Sequence, residues 1–475
     1  MDHTGYISSL STRYASKEMQ YLFSEEYRAR NFRKLWLLLA KCEKELGLNI
    51  TDEQIAELEA HLDDIDFEVI KEREKLVKHD VMAQIYAYGL KCPKAKGIIH
   101  LGATSCYVDD NADIIAIKEA SNIILKKMAQ VLANLKDFAL KYKSTPCLAY
   151  THLQPAQLTT IGKRATLWMY ELVLDIKNLE YQLKELKPLG CKGTTGTQAS
   201  FLDLFQGDVD KVLKLDRMIA EGLGFKEAVA VSGQTYTRKI DTYILSVLGN
   251  IAASAYKFAS DLRILQSFDE MEEPFEKKQV GSSAMPYKRN PMRAERMCGL
   301  ARYVMANVTN GYFTSATQGF ERTLDDSSNR RLVISESFLA IDAILNVYIN
   351  ITDGLVVNKK VIESRVEAHL PFIATENIMM EAVKKGGDRQ ALHEILRVYS
   401  QKAADDVKLG KKNHLLLDIA NDPRFNLTLD ELQKALKPSN FIGIADRQTS
   451  LFIKKEINPL LKRYHQSKIS AVLDV

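Results

Sequence analysis

Proline is scarce in this chain where it would be needed to stop a helix. Only 11 of the 475 residues are proline, and none lies between Pro188 and Pro274 or between Pro291 and Pro371. A proline removes a backbone donor and clashes with the preceding turn, so stretches this long without one leave long helices open to the chain. Apolar residues fill those stretches at steps of three and four. One stripe runs Ile114, Ile117, Ser121, Ile124, Met128, Val131, Leu135, Phe138, Tyr142. A second runs Ile161, Ala165, Trp168, Leu172, Ile176, Leu179, Leu183, Leu186, and a third Ile240, Ile244, Val247, Ile251, Ala255, Phe258, Leu262, Leu265. Each predicts a helix of about 25 to 30 residues, roughly 40 to 45 Å at 1.5 Å per residue.

Helices of that length pack nearly parallel, so the expected fold is mainly all-α around a central long-helix bundle. The bundle is expected at residues 105–357. A mostly helical N-terminal region, 1–104, precedes it and a helical C-terminal region, 358–475, follows. No block of strands is expected, and the charge run Asp269 to Glu273 is too short to be a tail. The apolar stripes are core first. On this scale they also predict self-association.

Composition narrows the class. The formal net charge is +4, with 65 Lys plus Arg against 61 Asp plus Glu, and no basic stretch with interleaved aromatics appears, which disfavours nucleic acid as a partner. Cys42, Cys92, Cys106, Cys147, Cys191 and Cys298 stand singly, without metal-site or redox spacing, and the densest early apolar run, Leu35 to Ala40, is flanked by Lys34 and Lys41. Neither a signal peptide nor a membrane span is expected. A reducing, cytoplasmic location fits.

One segment invites chemistry. Residues 281–291 read GSSAMPYKRNP, a loop between helical stretches. Asn290 is placed to cap the next helix and Pro291 to open it, which would turn the helix's free amides and positive end toward Lys288 and Arg289. By composition alone this is an ordinary solvated connector.

The whole string, however, resembles the signature of the fumarase/aspartase superfamily. The likeness continues through IIHLGATS (98–105), THLQPAQ (151–157), KGTTGTQAS (192–200), GQTYTRK (233–239) and ERTLDDSSNRR (321–331). Within the superfamily these strings are similar to the adenylosuccinate lyases of the animal-type branch, and the KRNP ending separates them from fumarase-like and argininosuccinate-lyase-like strings. The resemblance implies a three-region fumarase/aspartase-like fold whose long helices assemble into a homotetramer core, with each active site shared between subunits. It implies trans β-elimination of fumarate from adenylosuccinate and from the analogous carboxamide ribotide, without cofactor or metal.

Site residues carry over by position. Ser282 matches the family's general base, His152 its general acid, and Glu295 the residue that orients and charges that histidine. Lys288 is expected, with the loop amides and the helix N-terminus, to stabilise the aci-carboxylate that forms when a proton leaves the carbon beside a carboxylate, where positive groups are what the chemistry requires. Arg13, Tyr14, Arg296, Arg322, Ser327 and Arg331 match phosphate-, ribose- or base-region contacts. Lys78, His79 and Asp80 match the nucleotide-phosphate region, and Thr104, Ser105 and Gln234 match contacts to the succinyl carboxylates. Taken cold, each isolated Arg would be a solvated surface residue, Glu295 a surface glutamate and His152 a structural histidine before a helix. Lys78-His79-Asp80 could hint at a metal site, but further ligands are not found. The competing readings are another lyase of the superfamily, such as one acting on argininosuccinate or malate, and a non-catalytic crystallin-like protein.

Overall fold

A computed structural model describes residues 4–471 and 473. We number the elements that position the site. Helix α1 spans Glu25–Glu45 and α2 Asp80–Lys91, followed by α3 (Ser105–Lys141). Strands β1 (Pro146–Thr151) and β2 (Gln154–Thr160) lead into α4 (Ile161–Glu185), then α5 (Lys239–Ser267). Next come β3 (Met271–Glu272), α6 (Met292–Thr317), α7 (Asp325–Asp353), β4 (Val356–Val357) and α8 (Lys359–Ile373).

The three stripes are the buried faces of α3, α4 and α5. From Ile114 to Tyr142 every member of the first is buried, Ser121 included, and only Leu183 and Ile240 of the other two are partly exposed. α3 is longer than expected, 37 residues, because it begins at Ser105 ahead of the stripe. Among the described residues five helices reach 25 residues or more, α3 to α7. α7 is long and apolar enough to cross a membrane by length and composition, yet 78% of its most apolar window is buried in the bundle. It is the core helix.

Contacts along the helices give their directions. Arg238, just ahead of α5, reaches Asp110 near the start of α3 and Asp326 at the start of α7, while Phe258 stacks on Tyr348 further along α5 and α7 at 4.3 Å. α3, α5 and α7 therefore start at one end. α6 runs back, with Thr242 Oγ1 donating to Gly311 O at its C-terminal end and Ser260 near Cys298 toward its start. Gly311 lets this crossing close: a Cβ there would lie 3.0 Å from Thr242 Cα.

Among the described residues two larger cores flank the bundle, besides a small cluster of Ile70, Ala83 and Ala87. The N-terminal one joins α1 side chains such as Phe32 and Trp36 to Cys191, Phe201, Leu215 and Ile219. The C-terminal one gathers Ile378, Leu392, Leu415, Phe425 and Leu432, while Ile453, Ile457 and Leu460 return to the central core.

Among the described residues two short antiparallel strand pairs occur, which the sequence reading did not expect. β1 pairs with β2 in a hairpin, Thr151 opposite Gln154, so the turn is His152–Leu153. Both turn residues have positive φ, 53° and 57°, a conformation normally signalled by Asn-Gly or Asp-Gly. That missing signal, together with Pro155 inside the second strand, hid the hairpin.

Glu43 on α1 is fully buried and neither carboxylate oxygen has a partner among the described residues. Burial pushes its carboxyl up to about 8. The native state therefore keeps a proton that the unfolded chain releases near the ordinary glutamate value, so this contribution is complete at low pH and lost as pH rises toward 8. Glu43→Gln should raise the urea midpoint above the parent's at pH 8, at fixed protein concentration, and the gain should shrink at pH 5. An equal gain at both values would show that Glu43 does not titrate in this range.

Candidate active site

The sequence-derived residues fall into two groups at opposite ends of the bundle. The first lies where α3, α5 and α7 begin. His79 Nε2 is 3.4 Å from Ser105 Oγ, and its Nδ1 accepts from Met82 N at 3.4 Å. Lys78 closes the preceding helix in the left-handed conformation, φ 53°. Asp80 Oδ2 pairs with Arg331 at 2.8 Å. Burial would raise the Asp80 carboxyl, but the Val81 amide, Arg28 and Arg331 outweigh it and hold it below the usual range.

Gln234 joins this group through two close approaches. Its N–H donates to Glu321 O at 3.0 Å, and Cys106 Sγ lies 3.6 Å from its Oε1. Gly233 permits the first, since a Cβ there would sit 2.4 Å from Glu321 O. Arg322 is held on both oxygens of Asp326 at 2.8 Å, and a cleft is lined by Arg28, Asp109, Arg322, Ser327 and Arg331. No side chain caps Thr104–Ser105 at the start of α3, so that helix offers its first-turn donors to an anion.

The second group lies where α6 begins. Gly281 lets the loop fold onto itself, its would-be Cβ meeting Lys288 O at 2.1 Å, while Asn290 Nδ2 donates to Gly281 O at 2.7 Å. Ser282 Oγ accepts from Ala284 N at 3.3 Å and Met285 N at 3.1 Å. Lys288 is exposed; its backbone N–H donates to Met285 O at 3.0 Å, while its ammonium makes no hydrogen bond or ion pair among the described residues. Arg296 lies over the Tyr14 ring at 5.6 Å, which brings the Arg13–Tyr14 segment to this end.

The expected cap is corrected. Asn290 spends its side chain on Gly281, and α6 begins at Met292 with its Arg293 and Ala294 amides donating to Glu273 at 3.0 and 2.9 Å. Glu273 is 3% exposed. The positive end of α6 is therefore already occupied by the chain's own carboxylate. What remains to stabilise negative charge in the loop is Lys288 and the two amides aimed at Ser282.

The sequence reading also set aside the acidic run that organises this end. Glu270, 1% exposed, accepts from Tyr150 OH at 3.1 Å and pairs with Arg365 of α8 at 2.9 Å. Tyr150 also packs on Phe268, ring centroids 5.3 Å apart, so the hairpin carrying His152 is anchored on the segment that leads to the loop. Glu272 holds Asn358 at 2.8 Å and Arg289 at 3.4 Å. The only available signal was a cluster of carboxylates beside aromatic and basic residues.

No hydrogen bond or ion pair among the described residues joins His152 to Ser282 or Glu295; Glu295 is 4.0 Å from Arg263. The two groups are divided by the 26 residues of α6, about 40 Å at 1.5 Å per residue.

The comparisons now bear on this geometry. A family model described as Lyase matches residues 37–306, and one described as Adenylosuccinate lyase C-terminus matches residues 371–452. The chain is 50% identical over 469 residues to the adenylosuccinate lyase of Saccharomyces cerevisiae, covering 98% of this chain and 97% of that one. The chain belongs to the adenylosuccinate lyase family. The Schistosoma mansoni adenylosuccinate lyase is 48% identical over 463 residues, covering 97% and 96% of the two chains. The solved 3-carboxy-cis,cis-muconate lactonizing enzyme of Pseudomonas putida superposes with a TM-score of 0.81 at 21% identity, over 95% of this chain and 99% of that one, which shows a shared fold. In this adenylosuccinate lyase family member, the strings at 281–291 and 98–105 sit at the loop before α6 and ahead of and into the start of α3.

Gly281→Ala tests the turn. The added Cβ must displace Lys288, and where a segment positions reacting groups a misplacement of about 1 Å costs up to ~10²-fold. We expect kcat to fall at least tenfold (~10-fold) with the circular dichroism spectrum unchanged. Undiminished kcat would show that this turn geometry is dispensable.

Proposed function

We propose that this chain eliminates fumarate from adenylosuccinate, giving AMP, and from succinylaminoimidazole carboxamide ribotide, giving aminoimidazole carboxamide ribotide. The observation that carries the reading is the pair of N–H donors on Ser282 Oγ, inside a string that matches the family signature. Hydrogen bonds to a charged form favour it, so the Ala284 and Met285 amides stabilise an alkoxide, and Lys288 adds charge nearby. The alkoxide takes the proton from the carbon beside a succinyl carboxylate. That C–H electron pair becomes the new C=C bond of fumarate as the C–N bond breaks. His152, as imidazolium, gives its proton to the departing nitrogen, and Glu295 favours the imidazolium that does so.

The substrate's anions are met in parts. Thr104, Ser105 and Gln234 receive the succinyl carboxylates at the open start of α3. Lys78, His79, Asp80, Arg13, Tyr14, Arg296, Arg322, Ser327 and Arg331 receive the nucleotide. A ligand of nucleotide size cannot bridge about 40 Å of α6, so one subunit cannot supply both groups to one site. The active unit is accordingly an oligomer, and the family resemblance implies a homotetramer with sites completed by three subunits. Cytosolic placement fits the six free, buried cysteines.

Three separate assays, with adenylosuccinate, argininosuccinate and malate, test the substrate by fumarate release. Turnover of argininosuccinate alone would overturn the assignment. Ser282→Ala should lower kcat at least ~10²-fold while leaving the oligomer intact; near-normal kcat would remove Ser282 as the base. Mixing inactive His152→Ala and Ser282→Ala proteins should restore part of the activity. Failure to recover after demonstrated subunit exchange would refute shared sites.

A further inference from the structure

Four charged side chains from four helices form a line at the cleft where α3 and α7 begin. Arg331 of α7 donates to Asp80 Oδ2 of α2 at 2.8 Å, and Arg28 of α1 lies 3.7 Å from that same oxygen. The Arg28 group that faces Asp80 is also 2.5 Å from Asp109 Oδ1 of α3, and its guanidinium lies over the Phe32 ring at 5.2 Å. The other Asp80 oxygen is taken by Val81 N at 2.8 Å. Arg28, Asp109 and Arg331 line one cleft with Arg322 and Ser327.

An arginine that must grip a substrate anion while tied to a carboxylate is in competition with itself. The tighter Asp80 holds Arg331, the less of the guanidinium's charge reaches the ligand. Arg28 offers the same Asp80 oxygen a second cation and so loosens that hold. Asp109 in turn draws Arg28 away from Asp80. Burial pushes Asp109 up to about 6 even with Arg28 beside it, so Arg28 is also what keeps Asp109 charged.

We propose that Arg28 and Asp109 are positioning residues that set, with opposite sign, how firmly Asp80 holds Arg331, and thereby how well Arg331 receives an anionic group of the substrate. The proposal rests on the lyase reading above and extends it to residues that the family signature strings do not contain. Neither residue touches the substrate; both act through Asp80.

The test is steady-state kinetics with adenylosuccinate on the full-length oligomer. Arg28→Met should raise KM about fivefold with kcat within about twofold, since coupling between partly exposed charges is of that size. Arg28→Lys, which keeps a cation beside Asp80, should recover most of the loss. Asp109→Asn releases Arg28 toward Asp80 and should leave KM unchanged or lower it. A merely structural Arg28–Asp109 pair would make both disruptive variants behave alike, so an equal rise in KM for Arg28→Met and Asp109→Asn overturns the proposal, as does no change in Arg28→Met. If Arg28→Met does not fold, Asp109→Asn alone decides, because any rise in its KM contradicts the predicted sign. Failure of the unsubstituted protein to release fumarate from adenylosuccinate would instead overturn the lyase reading itself.

Discussion

The structure hangs on a buried ion network that ties together the starts of three parallel helices. Arg238 bonds both oxygens of Asp110 at 3.1 Å and Asp326 at 2.7 Å, and Arg330 bonds Asp241 at 2.7 Å, Tyr236 OH at 2.6 Å and Asp113 at 2.9 Å. Arg238, Arg330, Asp110, Asp241 and Asp326 are all buried. Buried charges cost several kcal/mol each (~3–5 kcal/mol when one partner is removed), so such a network persists only when every member is paired. What it secures is register: α3, α5 and α7 cannot slide without breaking bidentate bonds. Their positive ends are thereby collected at one mouth. Because these arginines are saturated by carboxylates, the proposed function assigns an incoming anion to the less buried Arg322 and Arg331 and to the uncapped start of α3.

The other end of the bundle uses carboxylates for the opposite purpose. Glu270 fixes the His152 hairpin to α8 through Tyr150 and Arg365, and Glu273 closes the start of α6. A helix N-terminus so closed contributes little to a substrate's charge, which leaves the loop's field to short-range groups. In the proposed reaction, two amides on one hydroxyl and one exposed lysine are local enough to favour an alkoxide at Ser282 without attracting anions to the whole surface. Lys127 plays a comparable anchoring part between the ends. It is ion-paired with the buried Asp342, which also accepts from Ser16 N at 2.6 Å, and so it holds the N-terminal segment carrying Arg13 and Tyr14 against the bundle.

These arrangements explain what could be read in advance. Periodicity exposed α3, α4 and α5 because burial of one helical face imposes steps of three and four on apolar residues, and the faces from Ile114 to Tyr142 and from Ile244 to Leu265 are indeed buried. Ser282, His152, Lys288 and Glu295 were singled out only as members of whole strings, since a serine beside glycine and proline has no composition to distinguish it from a turn, and their roles belong to the proposed function. The hairpin was not legible: His152 and Leu153 adopt left-handed φ without the residues that usually advertise it. Nor was the cap of α6. Local rules favoured Asn290, one residue from the helix, whereas the carboxylate that bonds the first turn comes from Glu273, almost twenty residues earlier, and no local pattern encodes that distance.

The same helix length that makes the fold legible also limits what one chain can do. A bundle about 40 Å long holds its two ends apart rigidly, so the α3 start and the Ser282 loop of one molecule can never face a common small ligand. In the proposed assembly, sharing of sites between subunits turns that separation into an advantage. Each mouth receives a loop from a neighbour, and a site exists only when the helices that define its dimensions are correctly stacked. The formal charge of +4 on 475 residues then becomes intelligible. Attraction for a phosphorylated dicarboxylate need not appear in the chain's overall balance, because in the proposed site the cations that would bind it are dispersed along the sequence, mostly offset by their own carboxylates, and concentrated only where the proposed subunits would meet.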